Sequence, residues 1–427
     1  MPKQLENGNG SIRLLRAEGN PKCRFCDAPL EHVFVDLGMS PLSNAYLKPS
    51  ELARMEPFYP LVVFVCSQCF LVQLEEFESP NGIFSDYSYF SSYSESWVEH
   101  ARIYSNMIVD RLKLGPNHRV VELASNDGYL LQHFVGKGIP VLGIEPAANV
   151  AEAAIKKNIP TRIEFFGESM ARRLVQEGFG ADLIVGNNVL AHVPAVNDFV
   201  KGLKILLKPD GVITLEFPHL MRLMEENQFD TIYHEHFSYF SFHTVRQIMA
   251  AHGLAVFDVD EVSTHGGSLR IYLRHREDDS KPTEKRVEDL AARESAAAVS
   301  EIETYLCFGE KVKQTKRKFL EFLITAKNEG RSVVGYGAPA KGNTLLNFCG
   351  VRTDFIDYTV DRSPHKQGHF LPGTHIPIHH PDRIRETRPD YVLVLPWNLS
   401  EEITAQMSYI RTWNGRFVIP IPEVKVL

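Results

Sequence analysis

The chain has 427 residues, 44% of them hydrophobic and 23% charged, and a formal net charge of −7. That length exceeds one ordinary core and predicts two or three domains. The acidic balance, with no basic run or stripe, argues against a nucleic-acid partner, and no apolar stretch reaches the length of a membrane span.

Residues 1–20 read as a loose tail, polar at the start and without the apolar core of a secretion signal, so the expected location is cytoplasmic. Two C-x-x-C pairs follow, Cys23 with Cys26 and Cys66 with Cys69, and they hold four of the six cysteines. Each pair can put two thiolates on one side of a tight turn, so together they complete a tetrahedral Zn²⁺ shell. The alternative is two disulfides or inert thiols, which a chain without a secretion signal disfavours. With four protein ligands the zinc has no open position and is expected to be structural. Strand-like runs at 31–37 and 59–65 surround the pairs, and zinc compensates there for a small core. An aromatic and hydroxyl-rich connector, 80–97, includes Tyr87.

From 97 onward, strand and helix signals alternate. Helical spacing over 97–113 is followed by a strand at 118–124, a helix at 129–137, a strand at 140–144 and a helix at 147–157. Strands at 181–186 and 211–217 flank a helix at 195–207, and 254–276 reads as a closing strand pair. This is a doubly wound α/β pattern. Residues 281–330, charged and Ala-rich, predict long helices. A second, smaller α/β alternation follows, with strands at 332–337, 355–360 and 391–396 and a helix at 340–348. The expected domains are 1–79, 80–285 and 286–427.

Ligands of open α/β sheets bind at the carboxyl ends of the strands. The first central strand ends in Glu122-Leu123-Ala124-Ser125-Asn126-Asp127-Gly128, and the second ends in Glu145. An acid there can accept both hydroxyls of a ribose. The G-x-G-x-x-G that would cradle a dinucleotide phosphate is absent. Such a turn suits S-adenosylmethionine (SAM), which has no phosphate, and the pattern resembles class I SAM-dependent methyltransferases. That resemblance implies cofactor contacts from Glu122, Ala124, Asn126, Asp127, Gly128, Glu145 and Pro146, with Ala124 standing where the turn often carries glycine. Asn187 and Asn188, ending the fourth strand with His192 close behind, are expected to face the transferring methyl group. Gly167-Glu168-Ser169 is a weaker candidate for adenine contacts.

Tyr233-His234-Glu235-His236 is the densest cluster of acid–base groups. Methylation of carbon needs a base to form a carbanion or enolate, and histidine titrates near neutrality. A neighbouring carboxylate or tyrosine can hold a substrate oxygen. His234 and His236 in an extended segment would share a face and bind a metal weakly, but their spacing is not that of H-E-x-x-H. The remaining reading is a histidine-rich loop with local hydrogen bonds.

The order of motifs now extends over about 21–410: the cysteine pairs, the Glu-x-Ala-Ser-Asn-Asp-Gly turn, Tyr-His-Glu-His-Phe-Ser-Tyr-Phe-Ser, then Ser263-Thr264-His265-Gly266-Gly267-Ser268-Leu269-Arg270, and finally Gly335-Tyr336-Gly337-Ala338-Pro339-Ala340-Lys341-Gly342. This is similar to the three-domain C-methyltransferases that act at C3 of nucleotide-linked 4-keto-deoxysugars. The resemblance implies His236 as the base, Tyr233 and Glu235 as assisting groups, and His192 and Tyr87 in the same cavity. It also implies His265, Gly337, Ala338 and Lys341 on the nucleotide-diphosphate sugar, with the C-terminal helix start as a phosphate site. NAD binding at that G-x-G, with Asp361 after the next strand, and a purely structural turn are the alternatives. The scattered histidines 365, 369, 375, 379 and 380 read as surface or loop residues. The rival functions are O- or N-methylation of a small metabolite and a zinc-containing RNA-binding scaffold.

Overall fold

A computed structural model describes residues 21–80, Gly82 and 90–427. The predicted tail and Tyr87 lie outside them. Near the start, β1 (His32–Ser40), β2 (Tyr59–Val65) and β3 (Val72–Leu74) pair antiparallel. The helix Glu95–Leu112 then leads into the central sheet, with Ser94 capping its first turn.

The central strands are β4 (Val120–Leu123), β5 (Val141–Ile144), β6 (Thr161–Arg162), β7 (Ala181–Asn187) and β8 (Leu207–Pro218). A short β9 (Ser238–Tyr239) crosses over and pairs with β3. The antiparallel hairpin of β10 (Leu254–Val262) and β11 (Ser268–His275) closes the central sheet against β8. The order is β10-β11-β8-β7-β4-β5-β6, parallel from β8 to β6. Helices cover both faces, so β4 reads as an unbroken run of buried residues, Val120 to Leu123. The chain progresses outward from β4 in both directions. The crevice beyond the carboxyl ends of β4 and β7 is therefore the topological switch point where ligands of such sheets bind.

Helices Lys285–Ala296, Ile302–Leu306 and Phe308–Asn328 fill the segment expected to be helical. The last sheet holds β12 (Val333–Tyr336), β13 (Thr359–Val360), β14 (Ile378–His379), β15 (Tyr391–Val394), β16 (Arg416–Ile419) and β17 (Lys425–Val426), in the order β14-β13-β12-β15-β16-β17. The strand expected at 355–360 shortens to Thr359–Val360, because Phe355 and Ile356 both donate to the Arg352 carbonyl in a turn. Helix Ala340–Cys349 follows β12 and starts at that sheet's own switch point.

The first sheet is a wedge. Val63 and Val65 of β2 join one apolar core with Phe308, Phe319 and the C-terminal strands. Val62 and Phe64 join the other, with Cys66, Cys69 and the central sheet. A strand's alternating faces account for this split.

Candidate active site

The cysteines of the two pairs converge. Their four sulfurs lie within 4.8 Å of one another, with Cys23–Cys69 and Cys26–Cys66 both at 3.5 Å and Cys26–Cys69 at 3.7 Å, and no disulfide joins them. Four sulfurs about 2.3 Å from a tetrahedral Zn²⁺ sit about 3.8 Å apart, so the set fits the ion. The two knuckles share one turn. Asp27 donates to the Cys23 carbonyl and Phe70 to the Cys66 carbonyl, and both Asp27 and Phe70 take positive φ. Gln73 Nε2 donates to Cys23 Sγ at 3.2 Å. Every ligand position is filled by protein, which makes the centre structural.

A cavity of about 620 Å³ opens at the central switch point. Ala124, Asn126, Glu145, Pro146, Asn187 and Asn188 line it, as do Trp97, Phe165 and Phe166. The turn after β4 is left-handed at Ala124 (φ 55°), Asn126 (φ 49°) and Gly128 (φ 77°). Glu145 ties it down: Oε2 accepts from the Asn126 N–H at 2.9 Å and Oε1 from the Ala147 N–H at 2.8 Å. Each carboxylate oxygen keeps a further lone pair for a ribose hydroxyl. Burial raises the Glu145 pKa, and the two amide bonds oppose the rise. The side-chain amide of Asn187 and the Oδ1 of Asn188 are buried with no hydrogen-bond partner among the described residues. Such groups call for a polar ligand, so the pocket fits SAM.

Glu122, Asp127 and Gly128 do not line the cavity. Glu122 lies beneath the turn, 1% exposed, its pKa driven well up by burial and by the nearby Glu145 and Asp127. Asp127 turns toward Ser92 and Lys157. Gly128 takes a left-handed φ of 77°, the conformation that favours glycine, and a Cβ there would also displace Ile159 Cδ1. Glu164, Phe165 and Phe166 flank the cavity in place of Glu168, which pairs with Arg172 on the surface, and of Gly167, which packs on Asp198.

Tyr233, Glu235, His236, His192 and His265 all line the same cavity. His236 Nδ1 donates to the Thr231 carbonyl at 3.0 Å, and His192 Nδ1 to the Glu235 carbonyl at 2.8 Å. A carbonyl cannot donate, so Nδ1 carries the proton in both rings and Nε2 of His236 bears a lone pair. The His236 ring lies 4.1 Å from that of Tyr233 and 4.7 Å from that of His192. Burial, with His192 beside it, holds the His236 pKa well below the usual histidine range. Burial takes His192 and His265 down to about 4 and pushes Glu235 up to about 7. The His234/His236 metal pair does not form. Residues 233–236 turn, with the His236 N–H on the Tyr233 carbonyl at 2.9 Å, and His234 Nε2 faces the Pro60 carbonyl instead. Among the described residues the cysteine cluster alone has the makings of a metal centre.

Sequence reasoning missed Glu216, near the end of β8. It accepts from His100 Nε2 (3.0 Å), Arg270 Nη2 (2.5 Å) and Thr264 Oγ1 (2.8 Å). These partners outweigh its burial and bring its pKa to about 2. The cluster anchors the 264–266 turn that carries His265 at φ 54°. It also missed Asn44 and Lys366, both on the cavity wall, and Asp230, whose Oδ2 accepts from Trp397 Nε1 at 2.7 Å and whose pKa burial raises to about 6.

The C-terminal turn divides. Pro339, Ala340 and Lys341 line the cavity at the start of their helix, whereas Gly337 and Ala338 do not. The Ala338 N–H is taken by Asp361 Oδ2 at 2.8 Å, and its carbonyl by Tyr46 Oη and Lys366 Nζ. An acid therefore occupies the place where Ala338 was expected to meet a phosphate. Lys341 Nζ donates to Asn398 Oδ1 at 2.8 Å and sits 4.5 Å from the Trp397 ring centre.

Three family profiles match in register with these parts: a zinc-binding domain over 23–84, a methyltransferase domain over 99–259 and a C-methyltransferase C-terminal domain over 263–422. The C-methyltransferase NovU of Streptomyces niveus is 34% identical over 406 residues, 95% of this chain and 96% of NovU. Among solved structures, PH0226 of Pyrococcus horikoshii OT3 overlaps 44% of this chain and 95% of its own, with TM-score 0.37 and 15% identity. Magnesium protoporphyrin IX methyltransferase of Synechocystis PCC 6803 overlaps 45% of this chain and 88% of its own, with TM-score 0.31 and 16% identity. No helix among the described residues is long and apolar enough to cross a membrane. Taken with the cysteine centre and the crevice at the switch point, the NovU match and the profiles show that this chain belongs to the SAM-dependent C-methyltransferases that carry an N-terminal zinc-binding domain.

Proposed function

We propose that the chain methylates C3 of a nucleotide-linked 4-keto-deoxysugar, with His236 as the base. The observation that carries this reading is the His236 tautomer: Nδ1 is committed to the Thr231 carbonyl, leaving a neutral Nε2 lone pair on a ring that lines the cavity. A C4 ketone acidifies the adjacent C3–H, and a neutral buried imidazole can accept that proton at neutral pH. Bound SAM supplies an electrophilic methyl group for the resulting carbanion. Tyr233 and Glu235 hold the sugar oxygens, and His192 and His265 complete the wall. Stabilising the enolate oxygen and fixing the reactants contribute much of the rate.

The sugar's diphosphate belongs at the start of helix Ala340–Cys349, where Lys341 adds a cation to the first-turn N–H groups of Ala340 and Lys341; those of Gly342 and Asn343 bond to the Pro339 carbonyl. The division into 1–79, 80–285 and 286–427 gives zinc, SAM and sugar nucleotide one region each, and a cytoplasmic setting keeps the cysteines reduced for metal. The test is a panel of nucleotide sugars with and without a C4 ketone, incubated with SAM and read by mass spectrometry. Gain of one methyl at C3 is expected. Methylation confined to sugars lacking the ketone would overturn the reading.

A further inference from the structure

We propose that Asn44 is a positioning residue of the active site: its side-chain amide fixes the Glu235 carboxyl so that Oε2 is the oxygen offered to the sugar. This deepens the reading above and rests on it for the identity of the sugar. Asn44 Nδ2 donates to Glu235 Oε1 at 2.6 Å, and both residues line the cavity. The two are 191 positions apart, and Asn44 belongs to the segment that links two strands of the zinc-bearing region. That region thus supplies part of the active-site wall as well as a metal centre.

The segment has little freedom to withdraw. Asn343 Nδ2 donates to the Ser43 carbonyl at 2.6 Å, and Tyr46 Oη donates to the Ala338 carbonyl at 2.6 Å. Leu47 and Phe370 exchange backbone hydrogen bonds of 3.0 and 2.9 Å. Glu56 accepts from the Gly373 N–H at 2.7 Å and pairs with His375 at 3.0 Å. Asn44 is therefore held from the C-terminal side while its amide reaches across to Glu235.

The chemistry follows from which atom is occupied. An N–H aimed at one carboxyl oxygen favours the ionised form, and burial opposes it. With Oε1 engaged, the proton of the neutral form resides on Oε2, where it can be donated to a ketone oxygen as negative charge develops there. The titratable groups around Glu235 come from every neighbouring element: Tyr233 and His236 from its own segment, His192 on its backbone carbonyl, His265, Tyr46 from the Asn44 segment, and Lys341 and Lys366 from the C-terminal region.

The experiment compares wild type, Asn44→Ala, Asn44→Gln and Glu235→Gln by infrared difference titration, with zinc content and SAM calorimetry as folding controls. The carboxyl band lost in Glu235→Gln identifies the group. In Asn44→Ala its midpoint should rise by about one pH unit, since one charge-assisted hydrogen bond is removed. The alkaline limb of kcat on a 4-keto sugar should move up with it, and Asn44→Gln should restore part of the shift. Should Asn44→Ala fail to bind zinc and SAM, Asn44→Ser must show the same rise. An unmoved midpoint in a folded variant overturns the proposal whatever the substrate. A moved midpoint with no 4-keto sugar methylated upholds the Asn44–Glu235 link and removes the substrate class instead.

Discussion

Replacing His236 by Asn tests the chemistry most directly. The variant keeps an amide that can donate to the Thr231 carbonyl, so the loop hydrogen bond is preserved. It deletes the lone pair that would accept the C3 proton. Loss of a positioned base costs about 10²–10⁴-fold, which corresponds to about 3–5 kcal/mol of barrier. Burial depresses the His236 pKa, so wild type should hold its base form from neutral pH down past the usual histidine midpoint, and the acid limb of kcat should lie below about 6.5. The assay separates proton removal from methyl transfer. With the demethylated cofactor bound, wild type should exchange the C3 proton with D₂O, and His236→Asn should lose both exchange and methylation while SAM calorimetry stays unchanged. Exchange near the wild-type rate in His236→Asn would remove the residue from this role and turn attention to His192, Tyr233 or Glu235.

Three further outcomes follow from the geometry. Cys66→Ser should release the Zn²⁺ and lower the Tm, because the ion joins two knuckles and Cys23, Cys66 and Cys69 are also core residues; a variant as stable as wild type with no zinc by elemental analysis would refute the structural assignment. Glu145→Ala removes the acceptor at the end of β5 and should weaken SAM by about 10–100-fold in calorimetry, the worth of a lost hydrogen bond to a charged group; unchanged affinity would move the ribose elsewhere. Burial raises the Glu235 pKa to about 7, so its contribution to stability is full below the unfolded value near 4.5 and lost as pH rises through 7, at most about 3 kcal/mol. Glu235→Gln should gain in Tm over wild type across that window, and a constant difference would contradict it.

Much of the central sheet is legible because burial on both faces leaves a plain signal. β4, β5 and β7 are short, mostly apolar strands, and the polar residues at or just beyond their carboxyl ends, Asn126, Glu145 and Asn187, locate the crevice. The cysteine spacing is equally plain. What resists reading is the difference between a residue beside a ligand and a residue that shapes the turn beside it. Asp127 and Gly128 sit in the motif, yet one pairs with Lys157 and the other turns the chain at a left-handed φ of 77°. Ala338 sits in a motif too, but Asp361, 23 positions later, takes its N–H. Only tertiary partners distinguish these cases.

Asn44 carries no sequence signal and still reaches the site, because the sheet that bears it is wedged between the two larger cores. β2 alternates, so Val63 and Val65 bind it to the C-terminal core while Val62 and Phe64 bind it to the central one. A strand with two apolar faces normally marks the middle of a sheet sandwich; here it marks a wedge. Arg24, beside the first knuckle, extends the wedge toward the chemistry by donating to the Leu74 and Pro194 carbonyls, with its guanidinium 5.5 Å from the centre of the Phe237 ring. Phe237 adjoins His236, and its N–H bonds the Ala191 carbonyl next to His192. The zinc-bearing region thus touches the His236 segment through the Leu74 N–H on the Phe237 carbonyl, the His192 segment through the Arg24 guanidinium on the Pro194 carbonyl, and Glu235 through the Asn44 side chain. A fold built this way makes the cysteine centre and the placement of His192, Glu235 and His236 depend on one small sheet.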